Sequence, residues 1–430
     1  MYKLSQYNIV IKENMEQKLI FNCRNQALCW VSSDLYNDIS SGLETEVNSL
    51  IKLGLIVKSD RDEFAELMFE KNSFIFNANP TQVGFVIAPT VACNMRCKYC
   101  FENNVENKRF MSREIADQVI SFVKKQIDGN KAIERLHIRW FGGEPCLAID
   151  TIEYISKALI DYCNQKSILY NSLIVSNGAL LNRQMASRLK DVQVKRVQLT
   201  IDGMEDYYSE IKGVEKEVFH NVINNICEIY DLIKVVIRVN VSENNIDQIE
   251  KLSTYLLKEK DLNKKIWIYY ELVRNFEHNK EKNSLTPCEF EQLKSSIMKK
   301  LTQLGCIDSL LHYLPQRNIF SCGAMQCKSA TIGPQGELYR CDNGLGKNEF
   351  VIGDCRSGFA RNNADCRFLL ANYKEKCKEC CLLPICGGGC LEDRIIEKNE
   401  KDCDAVKMRL VNDIDIYMKY MEGSENYGDN

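Results

Sequence analysis

Cys93-Asn94-Met95-Arg96-Cys97-Lys98-Tyr99-Cys100 decides how this chain is read. Three cysteines fall within these eight residues, directly after the apolar run from Val83 to Pro89. Thiolates spaced C-x3-C-x2-C can wrap three irons of a cubane cluster and leave the fourth iron without a protein ligand, where chemistry can occur. A zinc knuckle and ordinary packed thiols are the plainer alternatives. Zinc wants a fourth Cys or His close by, and the nearest histidine in sequence is His137. Strand, cysteine-rich loop and helix in succession also suit a reactive site at the C-terminal end of a barrel strand better than a finger. The spacing therefore favours an open cluster.

Outward from the octet, strand and helix alternate regularly. Strands are expected at 83–88, 133–141, 169–176, 194–201, 233–241 and 266–271, with helices at 113–126, 149–164, 181–189, 214–229 and 246–259. Such alternation implies parallel βα units, in an open doubly wound sheet or a barrel. Chemistry in parallel sheets gathers where strands end. Gly142-Gly143-Glu144 follows the second strand. Glycines let backbone approach a ligand closely, and Glu144 supplies a carboxylate for an ammonium; a tight turn before Pro145 is compatible with both. Ser176-Asn177-Gly178 ends the third strand and Thr200-Ile201-Asp202-Gly203 the fourth, each by itself a loop of good turn formers. Arg238 and Asn240 lie on the fifth, where the rigid fork of Arg238 suits either a cofactor carboxylate or a salt bridge on the rim.

Upstream, residues 7–11 and 18–23 have hairpin character, with a polar turn between them. Ser33-Asp34 can cap a helix through Ile39. Residues 41–53 are amphipathic, with Leu43, Val47, Leu50 and Leu53 at helical spacing before Gly54 and a short strand at 55–57. This layout suggests a winged-helix type of module, or a plain cap on the main domain. Residues 60–76 read as a charged helical connector, and Thr286-Pro287 as a helix start leading to Leu304. Downstream comes Cys322-x4-Cys327-x8-Gly336-x4-Cys341, then Cys377-x2-Cys380-x5-Cys386-x3-Cys390, and finally Cys403. Thiolate spacing alone does not separate zinc from iron–sulfur here. Residues 406–421 read as a terminal helix, followed by a polar tail.

With 56 basic against 59 acidic side chains, the net charge of −3 gives no bias toward nucleic acid or a membrane surface. No signal-like apolar start and no bilayer-length apolar segment is present, so a cytoplasmic address is expected. Twenty-one cysteines at such an address argue for metal ligation rather than disulfides, and only four histidines make any metal site thiolate-dominated.

The octet, the segment Trp140 to Pro145 and the cysteines from Cys322 onward together resemble radical S-adenosylmethionine (SAM) enzymes carrying a C-terminal SPASM extension. The resemblance covers roughly residues 83 to 410 and is specific in combination. It implies a partial (β/α)6 barrel at 73–283, a helical linker at 284–320, a SPASM domain at 321–421 and a tail at 422–430. It implies that Cys93, Cys97 and Cys100 hold a [4Fe–4S] cluster. Gly142, Gly143 and Glu144 would meet the amino group of SAM, Tyr99 would lie near its adenine, and Ser176, Asn177, Asp202, Arg238 and Asn240 would face its ribose or carboxylate side. By the SPASM pattern one auxiliary cluster would use Cys322, Cys327, Cys341 and Cys390, and a second Cys377, Cys380, Cys386 and Cys403, making three [4Fe–4S] clusters with SAM. The 1–72 unit resembles the leader-binding element of peptide maturases, which holds an extended segment against a strand edge.

The expected function is that of a peptide maturase. A 5'-deoxyadenosyl radical would take a hydrogen from a precursor peptide, a cysteine thioether would form, and an auxiliary cluster would accept the surplus electron. Flavodoxin or ferredoxin would serve as electron donor, with no nucleic acid or membrane partner. Carbon–carbon cross-linking, formylglycine formation on a sulfatase and a non-catalytic iron–sulfur or zinc scaffold are the alternatives. The N-terminal unit argues against the sulfatase type, and the three-cysteine set with Glu144 argues against a scaffold.

Overall fold

The computed structural model describes residues 2–42, 48–77, 79–104, 109–275, 283–310, 315–319, 322–396 and 402–425. They fall into two compact units. One joins Met1–Asn77, His312–Met325 and Leu370–Asn430, and the other joins Ala78–Leu311 and Gln326–Leu369.

In the first unit the chain opens with β1 (Tyr2–Leu4), β2 (Asn8–Glu13), β3 (Gln17–Asn22) and β4 (Leu28–Ser32), followed by α1 (Ser33–Ser40), α2 (Asn48–Lys52), β5 (Ile56–Lys58) and α3 (Glu63–Ile75). The expected hairpin is β2–β3. Its turn is held by Asn14, whose Oδ1 accepts from the amides of Glu16 and Gln17 at 2.9 and 2.7 Å. β4 adds antiparallel to β3, a strand the sequence reading did not contain, and β1 pairs with β5. The cap of α1 is Ser32, one residue earlier than expected, with its side chain accepting from the Leu35 amide. Leu43 and Val47 of the expected 41–53 helix lie outside the described residues. Tyr7, Phe21, Cys23 and Leu67 share one apolar core with Leu382, Leu383, Ile385, Val406, Leu410 and Ile414. Tyr7 and Phe21 are fully buried within a core that the C-terminal segment completes. The terminal helix runs Cys403–Glu425, past the expected start of the tail at 422.

The second unit holds β6 (Gln82–Ile87), β7 (Arg135–Trp140), β8 (Leu169–Ser176), β9 (Val194–Thr200), β10 (Lys234–Val241) and β11 (Trp267–Leu272), all parallel and hydrogen-bonded in sequence order. Helices α4 (Arg113–Asp128), α5 (Ile149–Gln165), α6 (Arg183–Asp191), α7 (Glu205–Lys212), α8 (Lys216–Ile229), α9 (Ile246–Thr254) and α10 (Pro287–Gln303) accompany the strands. The expected helix at 214–229 is preceded by a separate one, α7, which ends at Gly213 in the left-handed conformation. α10 starts with Thr286 and Glu289 in a reciprocal capping box.

The sheet does not stop at β6. β12 (Ala330–Ile332) pairs parallel to it, and β13 (Glu337–Tyr339), β14 (Val351–Asp354) and β15 (Gly358–Phe359) continue antiparallel, for ten strands among the described residues. Residues 326–369 thus complete this sheet rather than forming one domain with residues 370–421, since an open parallel sheet leaves an edge at β6 that β12 satisfies. The architecture is α/β with a large, mostly parallel sheet, consistent with a partial barrel. Among the described residues no helix is long and apolar enough to cross a membrane.

Candidate active site

The loop from β6 carries the three cysteines, and its neighbours fix it through backbone. Gly143 N donates to Thr90 O at 3.2 Å and Glu144 N to Ala92 O at 2.8 Å, lacing the turn after β7 to the approach of the loop. On the far side, Arg96 N and Lys98 N donate to the carbonyls of Lys212 and Ile211 at 2.8 and 3.0 Å, so the residues flanking Cys97 are tied to the end of α7. The close approach explains the glycines. A Cβ at Gly142 would stand 2.3 Å from Thr90 O, with φ at +112°, and one at Gly143 would stand 2.2 Å from Ala92 O.

Cys93, Cys97 and Cys100 are brought within electrostatic reach of one another. Burial pushes each thiol up, Cys100 to about 12, so loading a metal releases protons. Cys93 Sγ accepts from the Met95 amide at 3.4 Å and from Asn177 Nδ2 at 3.8 Å. Among the described residues, no three Cys, His, Asp or Glu side chains converge as ligands of one ion. A cubane makes no such demand, because each thiolate binds a different iron. The donor set and its N–H contacts fit a cluster.

Glu144 is fully buried. Its Oε1 accepts from Ser176 Oγ at 2.9 Å and Cys146 N at 3.0 Å, and its Oε2 from Asn177 N at 2.7 Å. Burial raises its pKa against these three hydrogen bonds. Glu144, Ser176 and Asn177, separate motifs in the sequence, are thus one constellation, and one lone pair remains on Oε2.

Asp202 organises a second constellation. Its Oδ2 accepts from Tyr99 Oη at 2.5 Å and from Lys212 Nζ at 2.6 Å, and its Oδ1 accepts from Asn240 N at 2.9 Å. Asn245, buried, donates to the carbonyls of Asp202 and Asn240 at 2.6 and 2.8 Å. Arg238 Nε donates to Asn240 Oδ1 at 2.8 Å. A cavity of about 40 Å³ beside this network is lined by Tyr99, Asp202, Tyr207, Asn240 and Ser242 among others. Its phenol, amide and hydroxyl walls match a nucleoside, though at this volume it admits only a few waters and a nucleoside would have to widen it. Lys212 and Asn245 were not singled out in the sequence. A lysine in a helix's last turn ordinarily reads as a solvated charge, and nothing local marks it as buried.

In the first unit, Cys377, Cys380, Cys386 and Cys403 act on one another electrostatically, as a four-thiolate site requires. Arg394 has Nε and Nη2 buried without a hydrogen-bond partner among the described residues, and its charge reaches Cys377, Cys390 and Cys386. Buried N–H donors left unmet beside thiols suit an anionic cluster. Cys381 and Cys23 adjoin this set. Of the other expected set, Cys322 and Cys390 belong to this unit and Cys327 and Cys341 to the second. There the buried Arg340 donates to Cys327 O at 3.1 Å and to Ser329 O at 2.7 Å, and pairs with Asp365.

Residues 87–256 match the radical SAM superfamily. The chain is 25% identical over 262 residues to the radical SAM cyclopropyl synthase TigE of Paramaledivibacter caminithermalis, covering 49% of this chain and 53% of that protein. It is 25% identical over 329 residues to a cysteine-type anaerobic sulfatase-maturating enzyme of Clostridium novyi, covering 70% and 86%. Its fold is similar to that of Streptococcus suis SuiB bound to precursor peptide SuiA, with TM-score 0.55, 15% identity and coverage of 93% and 98%. The chain spans about half, or less, of the length of the first curated relatives it matches. The fold, the cysteine loop and the match over residues 87–256 give this chain a radical SAM domain, and that superfamily implies a [4Fe–4S] cluster and SAM.

Proposed function

We propose that this enzyme matures a ribosomally made precursor peptide by forming a cysteine thioether. The observation that carries the reading is a small sheet with two open edges among the described residues, in a chain that also carries a radical SAM domain. Among the described residues β2 and β4 pair only with β3, and Trp30 on β4 is 45% exposed. A leader segment would add as a strand there, in the manner of a winged-helix-like recognition module. The precursor peptide bound in SuiB, whose fold matches along nearly all of this chain, supports such a substrate.

Cys93, Cys97 and Cys100 would hold the cluster, with Glu144 Oε2 receiving the SAM ammonium near Gly142 and Gly143. Tyr99 and Asn240 would line the nucleoside side. Ser176 and Asn177 would hold Glu144 in place, and Arg238 would meet the SAM carboxylate. Together the cluster and SAM supply a 5'-deoxyadenosyl radical. Cys377, Cys380, Cys386 and Cys403, and likewise Cys322, Cys327, Cys341 and Cys390, would each hold an auxiliary cluster that accepts an electron. A cytoplasmic flavodoxin or ferredoxin would supply the first one.

Two experiments test this. Trp30→Ala should weaken precursor binding by about 2 kcal/mol, roughly thirty-fold in Kd by calorimetry, with an unchanged melting curve. Unchanged affinity removes the β4 edge from recognition. For the product, mass spectrometry with iodoacetamide should show a peptide that has lost two hydrogens and no longer alkylates at the linked cysteine. Loss of two hydrogens with every cysteine alkylatable indicates a carbon–carbon bond instead. Loss of the thiol sulfur in favour of an aldehyde indicates formylglycine, the outcome favoured by the similarity to the C. novyi enzyme.

A further inference from the structure

We propose that the buried Asp202–Lys212 pair sets the reduction potential of the cluster held by Cys93, Cys97 and Cys100, its two opposite charges offsetting one another at Cys97. Lys212 is 2% exposed and Asp202 1%. Lys212 Nζ lies 2.6 Å from Asp202 Oδ2 and donates to Tyr99 Oη at 2.5 Å, and that hydroxyl donates onward to the same carboxylate oxygen. Asp202 is held at its other oxygen by Asn240 N. Neither charge can swing away.

The same lysine also grips the cluster loop by its main chain. Its carbonyl accepts from Arg96 N, and that of Ile211 accepts from Lys98 N, on either side of Cys97. Gly213 follows in the left-handed conformation, and a Cβ there would stand 3.3 Å from both Cβ and O of Arg96. The charge is therefore held against the three-cysteine loop by a rigid connection. Both side chains of the pair also reach the loop directly through Tyr99 Oη, two residues from Cys97.

Stability does not account for such a pair, since well-packed apolar residues of the same size usually do as well or better. An electron-accepting cluster gives it a purpose. Reduction adds negative charge, and cluster potentials respond to nearby net charge. A lone cation beside Cys97 would stabilise the reduced cluster and weaken its drive toward the SAM sulfonium. A lone anion would make the cluster harder to charge from its donor. The pair avoids both. Asp202 then serves as a positioning residue, acting on the cofactor site through Tyr99, Asn240 and the cluster rather than as a free ligand.

The test is redox titration followed by EPR, with the relevant cluster identified as the one whose signal SAM addition perturbs. Asp202→Asn should raise its midpoint potential, Lys212→Met should lower it, and the double variant should return to the wild-type value. A merely structural role would not produce shifts of opposite sign. Both single variants moving together, or neither moving, overturns the proposal. Should a single variant carry no cluster, the double variant decides. A bound cluster at the wild-type potential supports the proposal, and a shifted potential or a missing cluster overturns it. A wild-type protein without any SAM-perturbed signal would overturn the cluster assignment itself, a result distinct from wild-type-like potentials in all variants.

Discussion

Cys97→Ala is expected to abolish reductive cleavage of SAM outright, while the rest of the protein keeps its metal. Under the three-cluster proposal the anaerobically reconstituted wild type carries about twelve irons and the variant about eight. The reason is geometric. Cys97 sits between the other two ligands, flanked by amides tied to Ile211 and Lys212, so no neighbouring thiol can replace it without breaking that seam. Iron and sulfide analysis together with HPLC of 5'-deoxyadenosine checks both halves. Stoichiometric zinc without sulfide would remove the whole metal assignment, whereas about four irons in the wild type would remove only the auxiliary clusters.

Gly143→Ala should be nearly as damaging without touching a ligand. Its methyl group would meet Ala92 O at 2.2 Å, Ala92 C at 2.6 Å and Val91 O at 2.7 Å, all backbone atoms with no flexible side chain to yield. Overpacking of this kind costs about 1–3 kcal/mol, and the displaced strand end would carry Glu144 with it. A melting temperature lower by several degrees, with at least tenfold weaker SAM binding, is the expected pattern in calorimetry. Gly84→Ala on β6 is the control, because its Cβ would find only ordinary contacts at 3.7 Å from His137 and should change stability by no more than about 0.5 kcal/mol. Equal behaviour of the two variants would show that the turn after β7 is free to move.

Much of this was legible in the chain itself. The period of apolar residues placed all six parallel strands to within two residues at each end, and β8 at its observed limits. Thr286-Pro287 announced the capping box of α10, because both the cap and the fixed φ of proline act within a single turn. Glu144, Ser176, Asn177 and Asp202 stand out in the sequence as residues at the ends of parallel strands, where side chains converge, and the structure groups the first three around one carboxylate. β4 was missed for the opposite reason. Leu28–Ser32 shows little alternation by itself and becomes a strand by pairing with β3.

By itself, then, the amino-acid sequence determined the alternation of elements, the three-cysteine loop and the carboxylates at the strand ends, all set by interactions a few residues long. Tertiary structure alone decided which segments share a core. Tyr7 and Phe21 pack with Leu410 and Ile414, and β12 completes the edge at β6, through contacts hundreds of residues apart whose partners no local pattern names. It also decided the state of Lys212. In sequence it is one of many charges on a helix, and only burial against Asp202, Tyr99 and the cluster loop turns it into a fixed part of the site, because a charge is strong where water is excluded and weak where it is not.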